Sequence, residues 1–291
     1  MEQTTRTAWG SYLQTTLLLD LAFSMMTDTT LNEKFNVQSG IAPATGVIPT
    51  QRYYCIGNGG HTMTVGADGL TAPSPLQHQA TDAALFNHLP FIMRPVSSDL
   101  SASQLTQYAL RVVQQFNGVS YACYYLRRIN FTNVAAQIQM NTVANGTTTT
   151  TPYVANAANL NPTPPSTSSS SVSTVSGDYL TAAAVLALSF SEQDATELVN
   201  CANIIYGDPR YAIISEIGLV SGVDSVVNVP ATAGSFNMTE CIAAQINSFI
   251  NTFIPMNYMN DGTTINLNVG STEPLFQLTS SGTGSTSNGT T

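Results

Sequence analysis

The side chains best suited to chemistry in this sequence are three histidines, His61, His78 and His88. His61 directly follows a glycine-rich run, "YYCIGNGG", and glycine-rich turns after strands often cradle phosphate groups. No lysine follows this run, and the residues after it do not open a helix, so it does not fit the nucleotide-binding motifs. We therefore predict a strand that ends in a tight turn, in which the glycines provide positive φ angles.

His78 and Asp82 are four residues apart in "HQATDAALFNHL", which we predict to be a short helix that stops at Pro90. On a helix these two side chains would share a face. Together with His61 or His88 they would make a set of two histidines and one carboxylate for a metal ion. The spacing lacks the closely placed ligands of common metal sites, which favours local hydrogen bonding or capping. The prediction is that the chain has no catalytic, cofactor-binding or metal site.

Nucleophilic chemistry has no recognisable motif in the chain. There is no G-x-S-x-G, and no serine or cysteine is linked by a motif to a histidine. The four cysteines are far apart, without a C-x-x-C pair, and are predicted to be buried free thiols made in the cytosol: Cys55, Cys123, Cys201 and Cys241. Glu192, Asp194 and Glu197 lie early in a predicted helix, where the helix dipole favours carboxylates. We therefore expect a protein that is not an enzyme.

The composition narrows the classes of partner. Charged residues make up only 9% of the 291 residues, against about 25% in typical soluble domains, and the net charge is −9. A neutral polar surface of this kind is typical of a subunit that lies against other subunits. The only basic cluster, Arg127-Arg128, falls in a strand-like run, so nucleic acid is not an expected partner.

Membrane insertion and secretion are also disfavoured by the sequence. The most apolar stretch, residues 17–26, is too short to cross a bilayer and contains Asp20. The first residues lack a basic region before an apolar run, so no signal peptide is expected.

Apolar spacing and capping residues predict the helices. Leu13, Leu17 and Leu21 share one helical face, which predicts a helix over residues 11–27. Residues 99–116 are predicted to be partly helical and partly extended, with Asp99 or Ser101 as the N-cap. Ser191 begins an S-x-x-D capping pattern that predicts a helix ending at Gly207.

Alternating apolar residues predict the strands. The segment 119–131 reads as a strand with one buried face, and 211–222 as a buried strand. Residues 178–190 suit either a helix or a buried strand, and 243–270 a hairpin that turns at Asp261-Gly262. The predicted fold class is α+β, mainly antiparallel β and sandwich-like, with an N-terminal helix and a few short helices.

Low-complexity segments predict the domain organisation. Residues 143–177 are mostly Thr, Ser, Asn and Pro and cannot build a core of their own. We predict that they form an insertion or linker between two β-rich halves, 1–142 and 178–278. The polar tail, 279–291, is expected to contact neighbouring subunits.

Two stretches resemble structural proteins of contractile-tailed bacteriophages. "YAIISEIGLVSGVD" (211–224) and the strand pair around "FINTFIPMNYMNDGTTINLNV" (249–269) are similar to a pattern in tail-fibre attachment domains and in a baseplate wedge subunit. Its most specific part is I-x-E-I-G-L. The first half is similar in layout to that wedge subunit, through "YCIGNGGH" and "APSPLQHQATDAALFNHLPFIMRPV". The Ser/Thr-rich insertion has no counterpart there.

The resemblance implies a non-enzymatic subunit of a tail baseplate, made in the host cytoplasm and located in the virion. Its expected partners are other baseplate or tail proteins and a second copy of itself. No site residues accompany the resemblance. The alternative is a secreted β-rich protein that binds or hydrolyses carbohydrate, in which Tyr53, Tyr54, Tyr124 and Tyr125 would stack on sugars.

Overall fold

The computed structural model describes residues 3–162, 172–173, 178–231, 234–259, 262–275 and 277–278. Strands contain 49% of the residues and helices 19%. This confirms the predicted fold class, which is α+β and mainly antiparallel β, with an N-terminal helix and a few short helices. The chain divides into two compact units. One comprises Met1–Ile129 and Ser189–Thr264, and the other Asn130–Leu188 and Ile265–Thr291.

The described α-helices are α1 (Ala8–Leu18), α2 (Leu31–Phe35), α3 (Ala102–Leu105) and α4 (Glu192–Tyr206). Short 3₁₀ turns occupy Thr27–Thr29, Val96–Ser98, Ala157–Leu160 and Pro209–Tyr211. The described strands are β1 (Gln3–Arg6), β2 (Thr50–Gly57), β3 (His61–Val65), β4 (Thr71–Pro75), β5 (His88–Leu89), β6 (Ile92–Pro95), β7 (Tyr108–Phe116), β8 (Val119–Arg128), β9 (Gln137–Ala144), β10 (Thr147–Pro152), β11 (Val172–Ser173), β12 (Tyr179–Phe190), β13 (Ile213–Ala231), β14 (Gly234–Pro255), β15 (Thr263–Pro274) and β16 (Gln277–Leu278).

An antiparallel sheet forms the centre of the first unit. Its strands follow the order β1-β14-β13-β2-β8-β6, with β5 paired to β2 and β7 paired to β8. The long hairpin β13–β14 supplies two central strands, and β3–β4 forms a separate hairpin. Large side chains of β2, β8 and β14 fill the core, with Tyr53, Tyr124 and Phe249 fully buried. Of the residues considered for chemistry, His61 and His88 lie on the strands β3 and β5, whereas His78 and Asp82 lie in the loop between β4 and β5.

Helix α1 is shorter than its apolar spacing predicts. It begins after Thr7, whose hydroxyl accepts the N–H of Gly10, and ends at Leu18. Asp20 then adopts a positive φ of 50°, which is incompatible with a continuing helix. Of the predicted apolar face only Leu13 is buried, while Leu17 is 47% exposed. The predicted extension to residue 27 is therefore wrong.

The predicted short helix at 78–89 is also wrong, since this segment consists of turns followed by β5. The reason lies in its hydrogen bonds. The N–H of Gln79 donates to the Asp82 carboxylate, and those of Phe86 and Asn87 donate to the Glu216 carboxylate. These amides are satisfied by side chains, so the helical pairing that would use them does not form.

The capping signals are confirmed in both places where they were used. Ser101 and Gln104 form a capping box at α3, and β7 follows as the extended part. Ser191 and Asp194 form a capping box at α4, which ends at Gly207 with φ 70°. Capping is local chemistry, so the sequence predicts it well.

The pairing of the last long strands differs from the predicted hairpin over 243–270. Strand β14 pairs with β1 and β13, whereas β15 lies beside β12 in another sheet. The predicted buried strand at 211–222 is confirmed as β13, which is the true hairpin partner of β14. Asp261 of the predicted turn lies outside the described residues.

Strand β8 is buried on both faces rather than one. Its residues Ala122–Leu126 are all buried. On one face the ring of Phe35 in α2 stacks on that of Tyr125, with 4.4 Å between the centroids. On the opposite face, to which the next side chain of the strand points, the ring of Tyr124 lies 5.8 Å from that of Tyr108. The alternation of apolar and polar residues at the start of a strand therefore does not show whether one or both faces of its central residues are buried.

The second unit contains a sheet in the order β10-β9-β12-β15. Residues 178–190 are the strand β12, which decides between the two predicted possibilities. Part of the predicted insertion forms β10, in which Thr147–Pro152 pair with β9. Asn141 helps to hold this sheet, since it donates to Thr181 and accepts from Thr150. Residues 163–171, 174–177 and the tail 279–291 lie outside the described residues.

Candidate functional site

The charged centre of the first unit is the carboxylate of Glu216, which is 0% exposed. Strand β13 places it opposite Gly57 of β2 and Asn251 of β14. Glu216 is the only charged residue between Arg210 and Asp224 in the sequence. A buried carboxylate in an apolar strand is costly unless several donors satisfy it.

Four donors satisfy Glu216. The backbone N–H groups of Gly59 and Asn87 each lie 2.9 Å from Oε1. The N–H of Phe86 lies 3.0 Å from Oε2, and His78 Nε2 lies 2.8 Å from the same oxygen. Each oxygen thus accepts two hydrogen bonds, which leaves no free lone pair directed at a substrate.

His78 connects Glu216 to Asp82. Its ring is 1% exposed and lies between the rings of Phe86 and Phe249, at centroid distances of 3.9 Å and 3.8 Å. Its Nδ1 is 3.0 Å from Asp82 Oδ2. Because each ring nitrogen faces a carboxylate oxygen, both can donate only when the ring carries both protons. The predicted closeness of His78 and Asp82 is confirmed, although a loop rather than a helix brings them together.

The glycines of the run "GNGG" are required by close packing around Glu216. A Cβ on Gly57 would lie 2.4 Å from the Asn87 carbonyl oxygen, and one on Gly60 would lie 2.5 Å from that of Ser215. Neither glycine has a positive φ, so the predicted reason for them is wrong. The run is a close-contact surface that lets backbone N–H groups reach a buried carboxylate.

The other two histidines lie elsewhere. His88 Nε2 accepts the N–H of Leu85, and the His88 ring meets Phe35 edge-on. Burial lowers the pKa of His88 to about 3. In the part of the chain that the structure describes, no group of three or more His, Cys, Asp or Glu side chains is arranged to hold a metal ion.

His61 lies beside a recess between the β3–β4 hairpin and β14. The recess has a volume of about 320 Å³, and Pro73, Pro75, Asn251 and Phe253 contribute to its lining. His61 meets Phe253 edge-on at 5.0 Å, and burial lowers the pKa of His61. No sequence pattern indicated that Asn251 or Phe253 would lie near His61, because their proximity depends on strand pairing.

A second buried carboxylate, Glu240, is used in the same way as Glu216. It is 2% exposed and accepts the N–H groups of Leu110, Arg111 and Cys241. Burial raises its pKa. Leu110 has a φ of 55°, so its amide is turned out of the regular β7–β8 ladder. Glu240 is the only charged residue between Asp224 and Asp261, a signal that sequence reasoning missed.

Arg127 and Arg128 both form ion pairs within the first unit. Arg127 lies 3.0 Å from Asp194, and Arg128 lies 2.7 Å from Asp224. Glu197 binds Arg94 at 2.5 Å. Asp194 and Glu197 therefore form ion pairs with arginines, in addition to lying where the dipole of α4 favours a carboxylate.

The remaining candidate side chains belong to the core. The four tyrosines considered as sugar-stacking residues are at most 5% exposed, so they offer no such surface: Tyr53, Tyr54, Tyr124 and Tyr125. All four cysteines are buried free thiols, as predicted. Burial raises the pKa of Cys123 to about 12, which keeps this thiol protonated and unreactive.

The fold and the closed Glu216 centre define a mainly antiparallel β protein whose buried charges organise its loops. The chain belongs to a family of unknown function, DUF7208, whose profile matches residues 1–283. Comparison with curated proteins and comparison with solved structures returned no match. Among the described residues, no helix is both long and apolar enough to cross a membrane.

Proposed function

We propose that this chain is a structural virion protein, a wedge-like subunit of a phage tail baseplate that acts through contacts with other proteins. The proposal starts from the I-x-E-I-G-L resemblance, which spans residues 214–219. The location is the tail of the particle, after synthesis in the host cytoplasm. The partners are neighbouring baseplate or tail proteins and a second copy of the chain.

The physical role of the motif supports a scaffold function. Glu216 holds the loops at Gly59 and Phe86–Asn87, and Ile217 is fully buried beside it. A Cβ on Gly218 would lie 2.7 Å from the sulfur of Cys55. These positions of the motif therefore serve packing or internal hydrogen bonding, and the closed Glu216 carboxylate is not presented to a substrate.

The observation that carries the proposal is an exposed leucine segment, residues 17–21. Leu17, Leu18, Leu19 and Leu21 are 47%, 81%, 58% and 51% exposed. Clusters of large apolar side chains on a surface mark interaction sites, because water contact with them is unfavourable. In a chain with so few charges, another protein of the same particle is the natural cover for the exposed leucine segment.

The proposal predicts that the chain is found in purified particles rather than in the culture supernatant. Mass spectrometry of both fractions measures this. Exchanging Leu17 and Leu18 for serine should lower incorporation several-fold, because it removes interface anchors, with the unfolding free energy changed by about 0.5 kcal/mol or less.

Leu70→Ser is the matched control, since Leu70 is 70% exposed and lies outside the exposed leucine segment. It should be incorporated like the unmodified chain. Recovery of the unmodified protein only from the supernatant, or equal incorporation of all three proteins, contradicts the proposal.

A further inference from the structure

The dipeptide Asn-Gly occurs at three places in the described part of the chain: 58–59, 117–118 and 145–146. An asparagine before glycine is prone to deamidation, because glycine has no Cβ to shield its backbone nitrogen or to restrict its rotation. The three pairs share this local chemistry. A difference in their reactivity must therefore come from the fold.

Two of the pairs form the tips of β-hairpins. Asn117-Gly118 joins β7 to β8 with φ angles of 50° and 79°, and Asn145-Gly146 joins β9 to β10 with φ angles of 50° and 74°. Positive φ at both central residues is typical of a type I′ turn. All four residues are exposed, and neither the asparagine side chains nor the glycine N–H groups form hydrogen bonds with other described residues. The reacting groups are therefore held only by the turn itself.

The third pair is held by four hydrogen bonds. The N–H of Asn58 donates to the carbonyl oxygen of Asn87 at 3.0 Å, and its side-chain Nδ2 donates to that of Tyr211 at 3.0 Å. Its Oδ1 accepts from Asn87 Nδ2 at 2.7 Å. The N–H of Gly59, whose nitrogen would have to attack the side chain, donates to Glu216 Oε1 at 2.9 Å. Deamidation here requires these bonds to break first.

We propose that Asn117 and Asn145 are sites of spontaneous deamidation and that the fold protects Asn58. The backbone nitrogen of the following glycine bonds to Cγ of the asparagine and loses its proton, while the Cγ–Nδ2 bond breaks and ammonia leaves. Water then opens the resulting succinimide ring at either carbonyl, which gives aspartate or isoaspartate. Each event places a carboxylate at a hairpin tip that was neutral. This chemistry belongs to the chain itself and does not depend on the structural role proposed above.

Peptide mass spectrometry of the folded, full-length protein tests the proposal after incubation at mildly alkaline pH. Asn117 and Asn145 should each deamidate about tenfold or more faster than Asn58, since several hydrogen bonds must open at Asn58. Isoaspartate, detected by enzymatic methylation, should accompany aspartate at both hairpin tips, because the succinimide opens at either carbonyl. In guanidinium chloride the three rates should converge, because unfolding removes the protection and leaves the same dipeptide.

Asn87→Ala is the matched variant, since it removes the side-chain donor to Asn58 Oδ1 and leaves the backbone of the loop in place. It should speed deamidation of Asn58 by about threefold or more and leave Asn117 and Asn145 unchanged. Circular dichroism checks that the variant folds. Three outcomes overturn the proposal: hairpin tips that stay unmodified while the unfolded chain reacts, an Asn58 as reactive as the tips in the folded protein, or an Asn58 rate unaltered by Asn87→Ala.

Discussion

Buried carboxylates take the place of missing backbone pairings in this protein. Glu216 accepts N–H groups from two loops, and Glu240 accepts those of Leu110 and Arg111, where β7 departs from its regular ladder. Hydrogen bonds to a charged acceptor are about twice as strong as neutral ones. At the scale of the residue, each of these acids therefore organises irregular backbone that would otherwise be buried unsatisfied.

Glu216→Gln should destabilise the protein strongly. The amide group of glutamine turns two donors towards the donors that now face one carboxylate oxygen, so buried hydrogen bonds are lost on that side. We expect the unfolding free energy to fall by about 3 kcal/mol, the upper end of the cost of leaving buried polar groups unsatisfied. Urea denaturation measures it. Glu192→Gln, at an exposed position in the first turn of α4, should change it by less than about 0.5 kcal/mol. Equal effects of the two substitutions would show that the Glu216 charge is dispensable.

His88 should make the protein less stable in acid. Its folded pKa of about 3 lies below the ordinary 6.5 through burial, with Lys34 and His78 adding repulsion. Between these values the unfolded chain binds a proton that the folded chain does not, so stability falls as the pH falls from about 6.5 towards 3. The slope from this group is at most about 1.4 kcal/mol per pH unit.

His88→Gln should reduce that slope, measured by urea denaturation at a series of pH values. His61, whose pKa is also lowered, contributes in the same direction and is present in both proteins. An unchanged slope in the variant would mean that His88 titrates alike in the folded and unfolded states.

At the scale of the element, the hairpin β13–β14 carries the main architecture. It pairs with β2 on one side and β1 on the other, and it contains several register shifts. One shift lies between Ile214 and Glu216, next to the point where Gly60 approaches Ser215. The irregular pairing and the glycine-rich run thus belong to the same local packing arrangement.

Gly57→Ala should disrupt that arrangement. Its Cβ would lie 2.4 Å from the Asn87 carbonyl oxygen and 2.5 Å from Glu216 Oε1. Backbone must move to relieve such contacts, so we expect a loss of at least about 2 kcal/mol in thermal or urea unfolding. In Gly66→Ala the nearest atom is the side-chain oxygen of Asp68, which can rotate away, and the loss should be smaller. A tolerated Gly57→Ala would show that the packing around Glu216 adapts.

At the scale of the whole molecule, each of the two units is built from two separate stretches of chain. The sequence predicted successive halves, 1–142 and 178–278, separated at the compositional change. The contacts instead group Ser189–Thr264 with the first 129 residues. Composition marks where a segment is polar, but it does not show which distant strands pair with each other.

The sequence by itself determined what depends on neighbouring residues. It predicted the mainly antiparallel β class, the capping boxes at Ser101 and Ser191, the buried strand β13 and the buried thiols. Each of these follows from local propensity, capping chemistry or apolar composition, which act within a few residues.

Only the tertiary structure decided what depends on long-range pairing. Glu216 lies 138 residues from His78, its partner, and Asn251 lies 191 residues from Gly60. Strand register brings these residues together, and it is set by the combined packing of the sheet. For the same reason "GNGG" could be read as a turn from the sequence, but only the fold places its amides against a buried carboxylate.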